Sequence, residues 1–167
     1  MLVNKSSIIL IGMMGSGKTT VGKILADEIN FKFIDSDDLI EKQEDKSINN
    51  IFLFKGENYF RELEKNLISK FKYKSFVLAT GGGLPVFNDN FDKLINIGTI
   101  VYLKTSFKEL TNNRISNNSN RPIYTDKKAF ENILKQREHV YKKAHIIIFT
   151  DHKSPNEIVN EIKSFIQ

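Results

Sequence analysis

The sequence contains no cysteine and only three histidines, His139, His145 and His152. A chain without cysteine forms neither disulfides nor thiolate metal sites, and so few histidines leave little material for a zinc or iron centre. No apolar run reaches the length of a membrane span or of a signal-peptide core. These absences exclude a disulfide-stabilised scaffold, and they favour a protein of the reducing cytoplasm with no membrane partner.

Arginine is also scarce, although the formal net charge is +5. The lysines are scattered along the chain instead of forming the basic block that indicates nucleic-acid binding, and anionic small ligands account for the charge equally well. An arginine offers a planar five-donor fork that a lysine cannot supply. The placement of the four arginines is either chance or a sign of carboxylate and phosphate binding: Arg61, Arg114, Arg121 and Arg137.

Short, continuous, β-branched apolar runs alternate with amphipathic helical patterns along the 167 residues. This alternation predicts one α/β domain, a three-layer sandwich with a central five-stranded parallel sheet flanked by helices. Ligands bind at the carboxyl ends of the strands in such sheets. The predicted strands are Ser7–Ile11, Phe33–Ile34, Phe76–Ala79, Thr99–Leu103 and Ile146–Phe149. The predicted helices are Thr19–Ile29, Asn58–Phe71, Lys127–Lys143 and Pro155–Ile166.

One segment, Asn112 to Asp126, is polar and rich in asparagine, and it carries two of the four arginines. Long loops are uncommon in compact domains unless they are functional. We expect a mobile lid that closes over phosphates, and a solvated surface loop is the alternative.

The segment from Gly12 to Thr19 reads GMMGSGKT and matches the phosphate-loop pattern G-x-x-x-x-G-K-[ST] between a strand and a helix. The glycines allow a tight turn whose backbone N–H groups face phosphates, and the helix that follows adds its positive N-terminal end. Lys18 should reach the β- and γ-phosphates, and the Thr19 hydroxyl should bind Mg²⁺. The predicted nucleotide contacts here are Gly12, Gly15, Ser16, Gly17, Lys18, Thr19 and Thr20.

Two further stretches follow predicted strands. Asp35 and Asp37 should lie at a strand end and face the same way, so that one serves the metal and the other an acceptor hydroxyl. Acidic helix capping is the alternative, and we prefer it for Asp38. The three glycines from Gly81 to Gly83 predict a backbone that approaches a ligand closely, with a simple turn as the alternative.

Six motifs follow one another along the chain: GMMGSGKTTVGK at 12–23, DSD at 35–37, SINNIFLFKGENYFRELE at 47–64, TGGG at 80–83, NRP at 120–122 and REHVYKKAH at 137–145. In this order and spacing they resemble the shikimate kinase family over nearly the whole chain. The resemblance implies a P-loop kinase fold that uses ATP and Mg²⁺, with a lid near 112–126 and a substrate-binding helical segment near 38–71.

The resemblance also implies roles for individual residues. Lys18 and Thr19 would hold phosphate and Mg²⁺, with Asp35 supporting the metal. Asp37 would hold the acceptor hydroxyl, and Arg121 would reach the transferring phosphate, which makes Asp37, Lys18 and Arg121 the catalytic candidates.

The remaining implied roles concern binding. Arg61 and Arg137 would grip the substrate carboxylate, while Phe52 and Phe60 would wall the ring. The backbone of Gly81, Gly82 and Gly83 would meet ring hydroxyls. Arg114 would pack on adenine, with the loop before Pro155 on its other side.

The implied reaction moves the γ-phosphate of Mg-ATP to the 3-hydroxyl of shikimate, giving shikimate 3-phosphate and ADP on the route to aromatic amino acids. A gluconate or nucleoside-monophosphate kinase of the same fold is the alternative. A P-loop GTPase normally carries an N-K-x-D motif, which does not occur in this sequence. A non-catalytic nucleic-acid-binding module is the weakest alternative, and we expect a cytoplasmic monomer without nucleic-acid partners.

Overall fold

The computed structural model describes residues 7–111 and 127–166, and its centre is a parallel sheet of five strands. All four strand pairings are parallel, in the order β2-β3-β1-β4-β5. The predicted five-stranded sheet is confirmed; β3 and β5 have the predicted bounds, and the ends of the other strands differ from the predictions by at most one residue. The strands are β1 (Ile8–Ile11), β2 (Lys32–Asp35), β3 (Phe76–Ala79), β4 (Thr99–Lys104) and β5 (Ile146–Phe149).

Seven helices are described, and they are α1 (Lys18–Glu28), α2 (Ser36–Glu44), α3 (Ile48–Ser69), α4 (Asn90–Ile97), α5 (Phe107–Glu109), α6 (Lys127–Tyr141) and α7 (Pro155–Ile166). Four of them match helices predicted from periodicity. Most of the short helix α2 lies in the helical segment 38–71 that the family resemblance implies, whereas α4 and α5 were not predicted. Over residues 7–111 and 127–166, no helix combines the length and the apolar content that a membrane span needs. The predicted lid, 112–126, lies outside the described residues.

Helix α3 begins ten residues before the predicted start at Asn58. Gly56 has non-helical torsions (φ 79°, ψ 172°), so α3 consists of two helical parts across a kink. The apolar residues Leu53 and Phe54 of the first part are exposed instead of facing the core. Periodicity alone therefore finds only the second part, because neither the break nor the exposed apolar side chains fit one amphipathic stripe.

The core lies on both faces of the sheet, because successive strand residues point in opposite directions. Ile8 and Leu10 of β1 pack in a cluster with residues of α1 and α7. Ile9 and Ile11 pack in a second cluster, which includes Phe91 and Tyr141 from the helices of the opposite face. Burial on both faces explains why the three inner strands, β1, β3 and β4, are apolar runs in the sequence.

The sheet brings three loops to one edge. Leu10 of β1 and Asp35 of β2 both pair in register with Ala79 of β3, which lies between these two strands. The next residue, Thr80, donates from its backbone N–H and from its hydroxyl to the Leu10 carbonyl, each at 3.1 Å. The glycine-rich loop after β1, the acidic junction of β2 and α2 (the acidic loop, residues 35–38) and the glycines after β3 are therefore neighbours.

We predict that Leu10→Ala lowers the free energy of unfolding by about 2 to 5 kcal/mol, because Leu10 is fully buried on the central strand and its truncation leaves a cavity. Leu53→Ala is the matched control, since Leu53 is 75% exposed. It should change stability by no more than about 0.5 kcal/mol. Urea denaturation of the two variants measures the difference, and equal losses would contradict the assignment of the core.

Candidate active site

The loop between β1 and α1 curls around the ammonium group of Lys18. Its glycines have positive φ values, 144° at Gly12, 82° at Gly15 and 85° at Gly17, which other residues rarely adopt. Lys18 Nζ donates to the carbonyls of Gly12 at 2.9 Å and Met13 at 2.8 Å. The predicted phosphate loop therefore has its expected backbone form, and Lys18 lies buried within it.

The pair formed by Thr19 and Asp35 joins this loop to the acidic loop. Thr19 Oγ1 donates to Asp35 Oδ2 at 2.9 Å, so the two residues predicted to serve the metal are in direct contact. A hydroxyl and a carboxylate are the kind of oxygen ligands that Mg²⁺ takes from a protein, alongside water and phosphate oxygens. The donor set present therefore fits that ion.

The acidic loop differs from its prediction in two respects. Asp35 caps α2, because its Oδ1 accepts a hydrogen bond from the Asp37 backbone N–H at 3.0 Å. The preferred assignment of Asp38 as the cap is wrong, and Asp38 is exposed in the first turn. Asp37 also lies in that turn, so the extended geometry expected for Asp35 and Asp37 ends at Asp35.

Each of the three glycines after β3 lies against a side chain of the site. A Cβ added at Gly81 would lie 2.5 Å from Asp37 Oδ1, and one at Gly83 would overlap the Arg61 guanidinium. A Cβ at Gly82 would lie 3.3 Å from Arg137 Nη1. The described structure thus gives the glycines a packing role that the sequence did not predict, because they leave room for three predicted site residues.

Arg61 is buried, and two carboxylates of its own helix hold its guanidinium. Nη1 donates to Glu64 Oε2 at 2.7 Å, while Nη2 and Nε donate to one oxygen, Oε1 of Glu57, at 2.7 and 3.1 Å. The Phe87 ring covers the guanidinium with its centroid 4.2 Å from Cζ. Sequence reasoning missed these three partners, although glutamates four residues before and three after an arginine are the helical spacing for ion pairs.

The two predicted ring-wall residues lie beside the same guanidinium. The ring centroids of Phe52 and Phe60 are 4.8 Å apart, and Arg61 Cζ is 5.4 Å from the Phe60 centroid. Phe60 is buried in a cluster that includes Ile40 and Ile51. Helices α2 and α3 thus hold an aromatic surface next to the arginine.

Arg137 reaches the same place from α6. It is buried, and within the described ranges its Nη1 is a buried donor without a hydrogen-bond partner. Tyr141, one turn further along α6, donates from its hydroxyl to the Gly82 carbonyl at 2.5 Å and thereby ties the helix to the glycines. A buried unsatisfied donor of positive charge is costly, which makes Arg137 a strong candidate for binding an anion.

Comparison with known proteins gives the family of the chain. The family model described as shikimate kinase matches residues 14–167. A curated shikimate kinase of Persephonella marina is 44% identical over 158 residues, covering 93% of this chain and 96% of that protein. This chain belongs to the shikimate kinase family. As a family member it is an ATP-dependent phosphotransferase, and the fold and family implied by its motifs are confirmed.

Solved structures agree on the fold. The structure described as shikimate kinase from Acinetobacter baumannii in complex with shikimate has a TM-score of 0.91 at 33% identity, covering 98% of this chain and 93% of that chain. A gluconokinase from Sinorhizobium meliloti has a TM-score of 0.57 at 18% identity, covering 99% of this chain and 93% of that chain. The second likeness concerns the fold alone.

The other predicted nucleotide contacts are placed as follows. Ser16 is buried, with its Oγ 3.4 Å from Lys18 Nζ, and Thr20 is exposed in the first turn of α1. Pro155 is the first residue of α7. In the loop that precedes it, Asp151 Oδ1 accepts a hydrogen bond from the Ser106 N–H, which joins this loop to the one after β4. Arg114 and Arg121 lie outside the described residues, so their predicted roles stay predictions.

Glu64 is a fully buried acid in this site. Burial raises its pKa most, the positive charges of Arg61 and Arg137 oppose that rise, and the nearby Asp37 carboxylate adds to it, so that the pKa of Glu64 is about 7. Its Oε2 accepts from Arg61, whereas Oε1 is buried without a hydrogen-bond partner among the described residues. The side chain therefore holds a proton in a pH range where an exposed glutamate has lost it.

This raised pKa gives a testable pH dependence of stability. Between pH 4.5, the ordinary value, and about 7, the folded protein retains a proton that the unfolded chain releases. The free energy of unfolding therefore falls as pH rises through this window, by up to about 3 kcal/mol. Glu64→Gln does not titrate, so its stability relative to the parent should rise by about 1 to 3 kcal/mol between pH 5 and pH 8. Urea denaturation of both proteins at the two pH values measures this change, and a constant difference would contradict the raised pKa.

Proposed function

We propose that this enzyme transfers the γ-phosphate of ATP to the 3-hydroxyl of shikimate, which gives shikimate 3-phosphate and ADP. The observation that carries the proposal is the contact of three successive glycines with a carboxylate and two arginines. Gly81 faces Asp37, Gly82 faces Arg137 and Gly83 faces Arg61. Arg61 and Arg137 suit a carboxylate of the acceptor, and Asp37 suits one of its hydroxyls.

The acceptor would be oriented by opposite charges at its two ends. We assign Arg61 and Arg137 to its carboxylate, and Asp37 to the hydroxyl that attacks the phosphate. Phe52 and Phe60 would wall the ring, and the backbone of Gly81–Gly83 would meet the other ring hydroxyls. In this assignment α2 and α3 form the acceptor-binding part of a single kinase domain, and all but the first two residues of α2 lie in the segment 38–71.

The phosphate loop would bind ATP. Phosphoryl transfer passes through a loose transition state, so the protein chiefly aligns the two reactants and neutralises charge. Lys18 would exchange its carbonyl partners for oxygens of the β- and γ-phosphates. Thr19 and Asp35 would hold Mg²⁺, which supplies positive charge to those phosphates when it is bound. Asp37 would orient the hydroxyl and accept its proton late.

Arginines of the segment 112–126 complete the proposal. Arg121 would neutralise charge on the transferring phosphate, and Arg114 would pack on adenine opposite the loop before Pro155. Closure of that segment as a lid would exclude water that otherwise hydrolyses ATP. These roles, the cytoplasmic location and the monomeric state stay predictions.

We predict that shikimate is the preferred acceptor among shikimate, quinate, gluconate and AMP in a coupled assay of ADP release. The paired arginines and Asp37 favour a polyhydroxyl ring with a carboxylate, whereas AMP needs a base-binding surface that we did not identify in the sequence. Equal or faster turnover of gluconate or AMP would favour the alternative kinases.

We predict that Asp37→Asn lowers kcat by about two orders of magnitude or more, because a positioned proton acceptor is lost. ATP affinity should stay nearly the same, because Asp37 is assigned to the acceptor. Asp38→Asn is the matched control, since Asp38 is exposed in the same first turn of α2 and should leave kcat within about twofold. Steady-state kinetics measure both variants, and near-normal turnover of Asp37→Asn would refute its assignment.

A further inference from the structure

We propose that the Glu57 carboxylate is an exchangeable counter-ion of Arg61 that occupies the guanidinium edge used by the acceptor carboxylate and leaves it when the acceptor binds. The inference rests on the proposed function, because it takes the acceptor to be a carboxylate. It makes Glu57 a residue that determines specificity without belonging to the reacting groups.

The first observation is how Glu57 occupies the arginine. Nε and Nη2 form one of the guanidinium edges that bind a carboxylate through two parallel hydrogen bonds. Both nitrogens instead donate to the same oxygen, Oε1 of Glu57, at 3.1 and 2.7 Å. An acceptor carboxylate that offers one oxygen to each nitrogen would make the better-aligned pair of hydrogen bonds.

The second observation is the different burial of the two glutamates that hold Arg61. The Glu57 side chain is 54% exposed, whereas that of Glu64 is 1% exposed. An exposed ion pair contributes little to stability, while breaking a buried one leaves an uncompensated charge. Glu57 is therefore the partner that can be replaced, and Glu64 is the partner that stays and keeps the guanidinium in place.

The third observation is the backbone beside Glu57. Gly56 interrupts α3 with φ 79° and ψ 172°, so Glu57 is the first residue of the second helical part. Nothing lies within 4 Å of a Cβ added at Gly56. A carboxylate that leaves Arg61 therefore enters water at the start of a helical segment, where negative charge is favoured.

Charge balance gives the exchange its driving force. When Glu64 holds its proton, the carboxylates of Asp37 and Glu57 balance the two guanidinium groups of Arg61 and Arg137. An acceptor carboxylate would add a third negative charge, and the release of Glu57 to water removes one. A neutral acceptor cannot replace the ion pair, so Glu57 selects for acceptors that have a carboxylate.

The test compares Glu57→Gln with Glu62→Gln by calorimetric titration with shikimate. Glu62 is the matched control, because it is exposed on the same helix but pairs with Lys65 at 3.4 Å instead of Arg61. We expect Glu57→Gln to bind shikimate about three- to tenfold more tightly than the parent, because the competing carboxylate is gone. Glu62→Gln should differ from the parent by less than about twofold, and ATP affinity should be unchanged in both.

Two additions separate competition from a structural effect. Glu57→Ala should tighten binding as well, since alanine also leaves the guanidinium edge open. An analogue of shikimate with a hydroxymethyl group in place of the carboxylate should not bind Glu57→Gln more tightly than the parent. The exchange is supported if affinity increases only when the Glu57 charge is removed and the acceptor has a carboxylate.

Other outcomes overturn the inference. If both Glu57 variants bind shikimate less tightly, Glu57 instead holds Arg61 in position within the complex. If their affinity equals that of the parent, Glu57 does not compete. A parent protein that binds ATP but not shikimate would refute the proposed function itself, and this result is distinct from the other two.

Discussion

The burial of the Arg61 guanidinium is the constraint on which the arrangement of this site depends. A guanidinium removed from water needs carboxylates and hydrogen-bond acceptors around it, and the chain supplies them from its own helix. Glu64 contacts one side and Glu57 the other, while the Phe87 ring covers a face. The loop after β3 also holds the backbone of Arg61, because Asn88 Nδ2 donates to the Arg61 carbonyl at 3.0 Å.

The parallel sheet places other site residues close to Arg61, because the carboxyl ends of its strands lie at one edge. Helix α2, which follows β2 directly, contributes Asp37, and its Ser36 hydroxyl accepts from the Gly81 N–H at 2.8 Å, which fixes the start of α2 to the glycines. From the opposite side, α6 brings Arg137 to the same glycines. Side chains far apart in the chain thus converge on three residues that have no side chains of their own.

Much of the fold could be predicted because its signals are local. Strands buried on both faces are continuous apolar runs, and the phosphate loop is a short pattern whose glycines have a geometric reason. The first part of α3 could not be predicted in the same way, because Leu53 and Phe54 are exposed and Gly56 breaks the period. The assignment of Asp38 as the cap of α2 failed by three residues, since several adjacent acids can each cap a helix and only the strand end decides among them.

The phosphate loop has a further consequence for the cost of binding a nucleotide. Lys18 already bridges the Gly12 and Met13 carbonyls, and Gly12, Gly15 and Gly17 already have the torsions that the turn requires. The conformational entropy of this glycine-rich segment is therefore lost during folding and not on association. Because the loop is preorganised for the phosphates, less of the binding free energy is spent on ordering it, and the affinity for the nucleotide is correspondingly higher.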